Sequence, residues 1–115
     1  GPDATAGSTL ILWKNMGITV PTALEESIVS FARFGRNGKN LLFVINFTPV
    51  ERSDYRVGVP KKKQYRLVLD SDAAEFGGSG VEKPSVYKAE VGECDGQPYS
   101  IAYPLSGYGV AVFEF

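Results

Sequence analysis

Residues 41–49 constrain the fold more than any other stretch of the sequence. Their sequence is Leu-Leu-Phe-Val-Ile-Asn-Phe-Thr-Pro, and large apolar side chains occupy both alternating positions of an extended chain. Strands that are apolar on both faces are usually covered on both faces, which predicts a central strand of a sheet. Pro49 lacks a backbone donor and biases Thr48 away from helix, so the strand should end there. We expect two sheets to close over the side chains around Phe43 and Ile45.

Short strand-like segments separated by Gly- and Pro-rich turns make up most of the remaining chain. None of them has helical periodicity sustained over three turns. The predicted strands are residues 10–13, 27–34, 41–47, 55–59, 64–69, 86–91, 99–103 and 109–115. Alternation within 64–69 is clean, with Tyr65, Leu67 and Leu69 on one face. Seven or eight short strands at this spacing predict an all-β protein, an antiparallel β-sandwich with Greek-key connections.

Length and composition are those of one ordinary globular domain. At 115 residues the chain can bury roughly two-thirds of its unfolded surface around a single core. The formal net charge is -1, which argues against nucleic-acid and membrane-surface partners because both require a basic excess. The lysine run at residues 61–63 is typical of an exposed turn. Cys94 is the single cysteine, which excludes an internal disulfide and does not imply an oxidising compartment.

The absence of histidine removes several chemistries at once. With no His the chain lacks the usual general base and the commonest metal ligand. Ser79 and Ser106 therefore cannot belong to a Ser-His-Asp triad, and Cys94 has no imidazole partner. We expect no catalytic residue, no metal site and no cofactor. No apolar segment approaches the roughly 20 residues of a membrane span, so we expect no membrane partner.

Asp70, Asp72 and the loop of residues 77–80 are the remaining chemical candidates. Paired carboxylates serve glycoside hydrolysis or oxygen-ligated metals, yet carboxylates two residues apart at a strand end are more often turn groups. The sequence Gly-Gly-Ser-Gly lacks the lysine and the following helix of a phosphate loop, so we predict a shaped loop. Residues 46–48 match the N-glycosylation pattern but lie in the most buried predicted strand, and we interpret the match as coincidence.

Exposed aromatic side chains are candidates for carbohydrate binding, because sugar rings stack on flat aromatic faces. Most Tyr and Phe residues alternate within strands and are expected to pack in the core. Trp13, Tyr55, Phe76 and Tyr108 instead lie near predicted loops or strand ends. These four are the predicted carbohydrate-binding residues, with simple packing as the alternative.

Three motifs in a fixed order carry a family resemblance. Asn-Phe-Thr-Pro-Val at 46–50 is followed by Tyr-Arg-Val-Gly-Val-Pro at 55–60 and by Leu-Asp-Ser-Asp-Ala-Ala-Glu-Phe-Gly-Gly-Ser-Gly at 69–80. Together they resemble the C-terminal β-domain of 1,4-α-glucan (glycogen) branching enzymes, of the α-amylase superfamily. The resemblance covers residues 25–115, and Phe76 stands where the family commonly has Tyr.

The resemblance implies a domain that does no chemistry by itself. Family members cut an α-1,4-glucan and rejoin it as an α-1,6 branch, using carboxylates on a (β/α)8 barrel that these residues do not include. It implies a cytoplasmic, non-catalytic accessory domain that stabilises this intramolecular barrel by packing on it. An apolar face left without the barrel could instead support a homodimer. The alternatives are a module that binds α-glucan by stacking, and a recombined or designed chain built on this domain.

The opening segment differs from the family's usual lead-in. Gly1 and Pro2 are typical of a protease-cleavage remnant, which indicates an excised domain. We predict residues 1–23 as an engineered or divergent lead-in with an edge strand at 10–13. Residues 24–115 are the predicted α-amylase-type C-terminal β-sandwich domain.

Overall fold

The computed structural model describes residues 9–12 and 28–115, and most of the residues in these ranges lie in strands. The strands are β1 (Thr9–Leu12), β2 (Ile28–Phe34), β3 (Asn40–Asn46), β4 (Arg52–Val59), β5 (Gln64–Asp70), β6 (Val86–Lys88), β7 (Glu90–Cys94), β8 (Gln97–Leu105) and β9 (Val110–Glu114). A 3-10 turn at Ala74–Phe76 follows β5. No helix in the described ranges is both long and apolar enough to cross a membrane. The all-β prediction is confirmed.

The nine strands form two antiparallel sheets. The larger sheet has the order β1-β2-β3-β9-β5-β6, and the smaller sheet has the order β4-β8-β7. Strands that are distant in sequence become neighbours, since β9 lies between β3 and β5, and such crossings are typical of Greek-key connections. β3 has a partner on each side, which confirms the predicted central strand. β1 lies at the edge of the larger sheet. Trp13, the last residue of the strand predicted at 10–13, lies outside the described residues.

The core lies between the two sheets, on the Leu42 and Val44 side of β3. Leu42 and Val44 are both 0% exposed and share a hydrophobic cluster with Val57 of the smaller sheet. Phe43 and Ile45 are on the outer face of the larger sheet and are half-buried. Two sheets therefore close over the side chains that flank Phe43 and Ile45 in β3, as predicted, while Phe43 and Ile45 themselves point away from the core. Alternation identifies two apolar faces of β3 but cannot say which one meets the second sheet.

Three aromatic rings join the two sheets inside the core. The ring centroid of Tyr87 lies 5.2 Å from that of Tyr103, at an interplanar angle of 76°, and 5.7 Å from that of Phe113, at 88°. The centroids of Tyr103 and Phe113 lie 5.0 Å apart, and their planes are at 86°. Edge-to-face packing of this kind aligns the positive edge of one ring with the negative face of the next. Tyr103 belongs to β8 and the other two rings belong to the larger sheet, so the group stabilises the contact between layers.

The segment predicted as one strand over residues 86–91 forms two strands in different sheets. Val86–Lys88 pairs with β5, whereas Glu90–Cys94 pairs with β8. Ala89 lies between them, and its N–H donates to the carbonyl oxygen of Lys63 at 3.0 Å. The chain changes sheets at this residue. This change explains why nine strands are found where seven or eight were predicted.

A two-residue turn joins β7 to β8, where the sequence pattern predicts a longer separation. Asp95 and Gly96 have φ values of 50° and 80° and connect Cys94 to its partner Gln97. Positive φ at both central residues is the requirement of a type I′ turn, for which Asp-Gly is a favoured pair. Asp-Gly at residues 95–96 is therefore the sequence signal of this hairpin. The predicted strands, 86–91 and 99–103, were placed without it.

Strand β5 departs from simple alternation after Leu67. Its register against β9 shifts between Leu67, which opposes Phe113, and Leu69, which opposes Val112. A bulge of this kind inserts one residue and turns the following side chains to the other face. Leu69 is consequently 41% exposed on the outer face. The prediction that Leu67 and Leu69 share a face is wrong.

Candidate functional site

Lys83 is a buried cation at the end of the sandwich where β5 and β8 finish. Its side chain is 6% exposed, and Nζ lies 3.0 Å from Asp70 Oδ2 and 3.9 Å from Asp72 Oδ2. Nζ also donates to Tyr103 Oη at 3.4 Å and to Ser106 Oγ at 3.5 Å. The same ammonium group lies 5.2 Å from the ring centroid of Tyr103, within the range of a cation–π contact. The aspartate pair noted in the sequence therefore serves as the counter-ions of one lysine.

The loop after β5 is shaped by Asp72 and the glycines that follow. Asp72 Oδ1 accepts the Ser79 N–H at 3.0 Å, and Oδ2 accepts the Ser79 hydroxyl at 2.5 Å. Gly78 packs so closely that a Cβ there would lie 2.3 Å from the carbonyl carbon and oxygen of Asp72. Gly77 ends the 3-10 turn in the left-handed conformation with φ 78°. These contacts agree with the predicted shaped loop and with a structural role for the carboxylates.

Hydrogen bonding lowers the pKa of Asp72. The largest cause is the hydroxyl of Ser79, followed by the Ser79 N–H, while desolvation opposes them and Lys83 makes a smaller contribution. Asp72 therefore stays ionised at neutral pH and acts as a fixed acceptor. Burial raises the pKa of Tyr103 far above its usual range, and the nearby charge of Asp70 raises it further. The Tyr103 phenol therefore keeps its proton.

A cleft of about 200 Å³ opens beside the Lys83 cluster, which we define as Asp70, Asp72, Ser79, Lys83, Tyr103 and Ser106. Its walls include Lys83, Asp72 and Ser79, and their polar groups already contact one another. Among the described residues, His, Cys, Asp and Glu form no group of three that could hold a metal ion. The cluster contains no imidazole, the usual general base, because the chain has no His. Its evident effect is to fix the loop after β5 against the end of β8.

Asn46 completes the same end of the sandwich and is 1% exposed. Its Nδ2 donates to the carbonyl oxygens of Val50 at 2.9 Å and Ser106 at 3.0 Å. Its Oδ1 accepts the Thr48 N–H at 2.9 Å and the Thr48 hydroxyl at 2.7 Å. The side-chain amide is buried and fully engaged, which agrees with treating the glycosylation pattern as coincidence. An asparagine at the end of an apolar strand is the sequence signal from which this junction could have been predicted.

The predicted carbohydrate-binding residues lie in different environments. Trp13 falls outside the described residues. Tyr55 is half-buried against the core and opposes Tyr103 in the β4–β8 register. Phe76 and Tyr108 are 58% and 68% exposed, the first on the 3-10 turn and the second in the turn between β8 and β9.

Tyr108 is held outward by an unusual backbone conformation. Its φ is 53°, in the left-handed region that non-glycine residues seldom adopt. The Tyr108 N–H donates to the carbonyl oxygen of Thr48 at 2.7 Å, which fixes the turn. Phe76 instead lines a cleft of about 330 Å³ together with Val68 and Leu69. Neither Tyr55 nor Tyr108 contributes to that cleft.

Comparison with known proteins gives a consistent result along most of the chain. Residues 22–115 match the family model described as "Alpha amylase, C-terminal all-beta domain". The chain is similar to the 1,4-alpha-glucan branching enzyme GlgB of Butyrivibrio fibrisolvens, with 48% identity over 92 residues, covering 79% of this chain and 14% of that enzyme. The enzyme of the same name from Cereibacter sphaeroides is 46% identical over 81 residues, covering 70% of this chain and 11% of the relative. The enzyme of the same name from Nitrosomonas eutropha is 40% identical over 86 residues, covering 72% of this chain and 12% of the relative. The chain therefore spans 11–14% of the length of these curated relatives.

Proposed function

The chain belongs to the family of α-amylase C-terminal all-β domains, and on this premise we propose that it is the non-catalytic accessory domain of a 1,4-α-glucan branching enzyme. In this proposal it stabilises the catalytic portion of the parent enzyme by packing on it. The transfer of α-1,4-glucan segments to α-1,6 branch points is done by the catalytic barrel, and this domain contributes no reacting group. A cytoplasmic location is part of the same proposal.

The Lys83 cluster is the observation that best supports a non-catalytic role. The Lys83 ammonium group lies near both Asp70 and Asp72. The Tyr103 phenol keeps its proton, and hydrogen bonds from Ser79 keep Asp72 ionised. General acid–base catalysis needs a group that both takes up and returns a proton near the working pH. The cluster is better suited to fixing a loop. The chemistry of such an enzyme would then reside in the remaining 86% of the relative's length (100% minus the 14% that is matched).

A hybrid enzyme tests the accessory role. We define the hybrid as the Butyrivibrio fibrisolvens enzyme with its matched region replaced by residues 22–115 of this chain. We define the deletion enzyme as the same protein lacking that region. The hybrid should resist thermal inactivation better than the deletion enzyme, because about 200 Å² of buried apolar surface is worth about 5 kcal/mol at about 25 cal/mol per Å².

Two results would contradict this function. Equal inactivation temperatures for the hybrid and the deletion enzyme would remove the stabilising role. Branching or hydrolysis of glucan by the 115-residue chain alone, measured by iodine staining, would remove the non-catalytic assignment.

Glucan binding is a second candidate function, favoured by the outward position of Tyr108 in its left-handed turn. An aromatic ring that is 68% exposed offers a flat face on which a sugar ring can stack. Titration with maltooligosaccharide should then shift the backbone amide resonances of this turn, and Tyr108→Ala should abolish the shifts. Val91→Ala, at another exposed site, is the matched control. An absence of shifts at millimolar ligand would set this candidate aside.

A further inference from the structure

The outer face of the larger sheet is apolar across four neighbouring strands. The strand register places the outward side chains in two rows, one along Val29, Ile45 and Val110 and the other along Phe31, Phe43, Val112 and Leu69. No polar side chain interrupts either row. We call these seven residues the outer apolar face. Leu69 is 41% exposed, Val29 is 5% exposed and the other five are half-buried.

The outer face of the smaller sheet has the opposite character. Arg56 of β4 donates from Nη1 to Glu90 Oε1 at 2.8 Å and from Nη2 to Ser100 Oγ at 2.7 Å. These three side chains link β7, β8 and β4 through polar contacts that suit a surface in water. The sandwich therefore has one polar outer face, on the smaller sheet, and one apolar outer face, on the larger sheet.

The centre of the outer apolar face is flat and partly open. Phe31 and Phe43 stack with their ring centroids 4.8 Å apart and their planes 10° apart, and both are half-buried. Leu69 is 41% exposed, because the bulge in β5 turns it outward. It also lines the cleft of about 330 Å³ that contains Val68 and Phe76, so apolar surface continues past the sheet.

A charged row borders this apolar centre at one end. The register aligns Arg33, Leu41, Glu114 and Arg66 across the same four strands. Arg66 Nη2 donates to Glu114 Oε1. An apolar centre with a polar rim is the anatomy of a protein–protein interface. Contiguous apolar patches are otherwise uncommon on the surface of monomeric proteins.

We infer that the outer apolar face is the surface on which the catalytic portion of the parent enzyme docks. This inference rests on the proposed accessory function and specifies its partner. The partner is a folded protein surface with an apolar centre facing Phe31 and Phe43, and with polar groups that meet the charged row. The catalytic portion is the partner chosen because 86% of the relative's length lies outside the match. The outer apolar face is the surface chosen because the opposite outer face is polar.

Leu69→Asp in the hybrid tests the docking surface. A carboxylate buried within an interface loses its water without gaining a partner. We expect the half-life of the hybrid at an inactivating temperature to shorten at least tenfold, towards that of the deletion enzyme. Val91→Asp is the matched control, because Val91 is a strand aliphatic that is 74% exposed on the smaller sheet, and it should leave the half-life unchanged.

The isolated 115-residue chain separates docking from folding. Leu69 is already 41% exposed there, so Leu69→Asp should change its melting temperature no more than Val91→Asp does. Phe43→Ser provides a second variant. At an inactivating temperature it should shorten the half-life of the hybrid by a larger factor than the half-life of the folded isolated chain.

Each contrary result has a distinct meaning. A stabilised hybrid in which Leu69→Asp and Val91→Asp behave alike would overturn the assignment of this face and leave the accessory function intact. A hybrid no more stable than the deletion enzyme would overturn both. If the isolated chain dimerises in sedimentation, Leu69→Asp disrupts the dimer and the hybrid is unaffected, then a second copy occupies this face and the inference is wrong.

Discussion

Lys83 is surrounded by groups that compensate its charge, at a position where its side chain is only 6% exposed. Replacing it with methionine keeps the apolar stem but leaves the carboxylates of Asp70 and Asp72 without their cation. Removing one partner of a buried ion pair is costly because the remaining charge stays partly desolvated. We expect Lys83→Met to lower the free energy of unfolding by about 3 kcal/mol, measured by urea denaturation.

Arg56→Met is the comparison for this prediction. Arg56 and Glu90 form an exposed pair, with side chains 44% and 64% accessible, and such pairs contribute less than about 1 kcal/mol. Equal losses for Lys83→Met and Arg56→Met would show that the Lys83 cluster does not stabilise the fold as described.

The depressed pKa of Asp72 makes stability depend on acid in a defined direction. The folded state binds this proton less tightly than the unfolded chain does. The resulting stability is present above the ordinary carboxyl pKa of about 3.9 and is lost as pH falls through the lower folded pKa. Ser79→Ala removes the largest cause of the shift. The free energy of unfolding should then fall less between about pH 5 and about pH 2 than it does in the unsubstituted chain.

Ser53→Ala, at an exposed position of β4, should retain the full acid dependence. Urea denaturation of both variants at several pH values makes the comparison. An unchanged acid dependence in Ser79→Ala would contradict the assigned cause of the pKa shift.

The polar residues of this site were only partly predictable from the sequence. The structural roles of Asp70, Asp72 and the glycine loop follow from local turn chemistry, which depends on residues close together in the chain. Lys83 and Ser106 lie in separate segments. They meet the carboxylates because the ends of β5 and β8 converge, and such a long-range contact has no local sequence signal.

Local sequence patterns predicted where strands occur better than they predicted which face of a strand points inward or which strand it pairs with. The apolar run of β3 predicted its central position, but Leu42 and Phe43 are equally suited to a core, so its inner face had to come from the structure. The shift of Leu69 to the outer face depends on a bulge in pairing with β9. The change of sheet at Ala89 likewise depends on which strands are available as partners, since a strand pattern does not specify its neighbour.

Two glycines with different surroundings allow a test of the loop that follows β5. A Cβ on Gly78 would lie 2.3 Å from the backbone of Asp72, whereas a Cβ on Gly96 would meet nothing within 4 Å and would only be strained by φ 80°. Gly78→Ala should cost about 2 kcal/mol of unfolding free energy because backbone atoms must move. Gly96→Ala should cost about 1 kcal/mol. Thermal or urea unfolding of both variants ranks them, and a smaller loss for Gly78→Ala would contradict the close packing of this loop.

The molecule as a whole is a sandwich with two unlike outer faces. The smaller sheet is closed to further packing by the polar contacts of Arg56, while the larger sheet presents stacked Phe31 and Phe43. The sequence alone predicted an apolar patch from the family resemblance, but could not locate it. Its position depends on which side of β3 the core occupies, and therefore on the pairing of the two sheets.

The accessory function and the docking surface both require that the outer apolar face is covered in an assembled enzyme. Hydroxyl-radical footprinting followed by mass spectrometry measures this coverage, by comparing side-chain labelling in the isolated 115-residue chain and in the hybrid. We predict that labelling of Phe31, Phe43 and Leu69 falls severalfold in the hybrid while labelling of Val91 is unchanged. Equal labelling of the three face residues in both proteins, or protection of Val91 instead, would contradict the account.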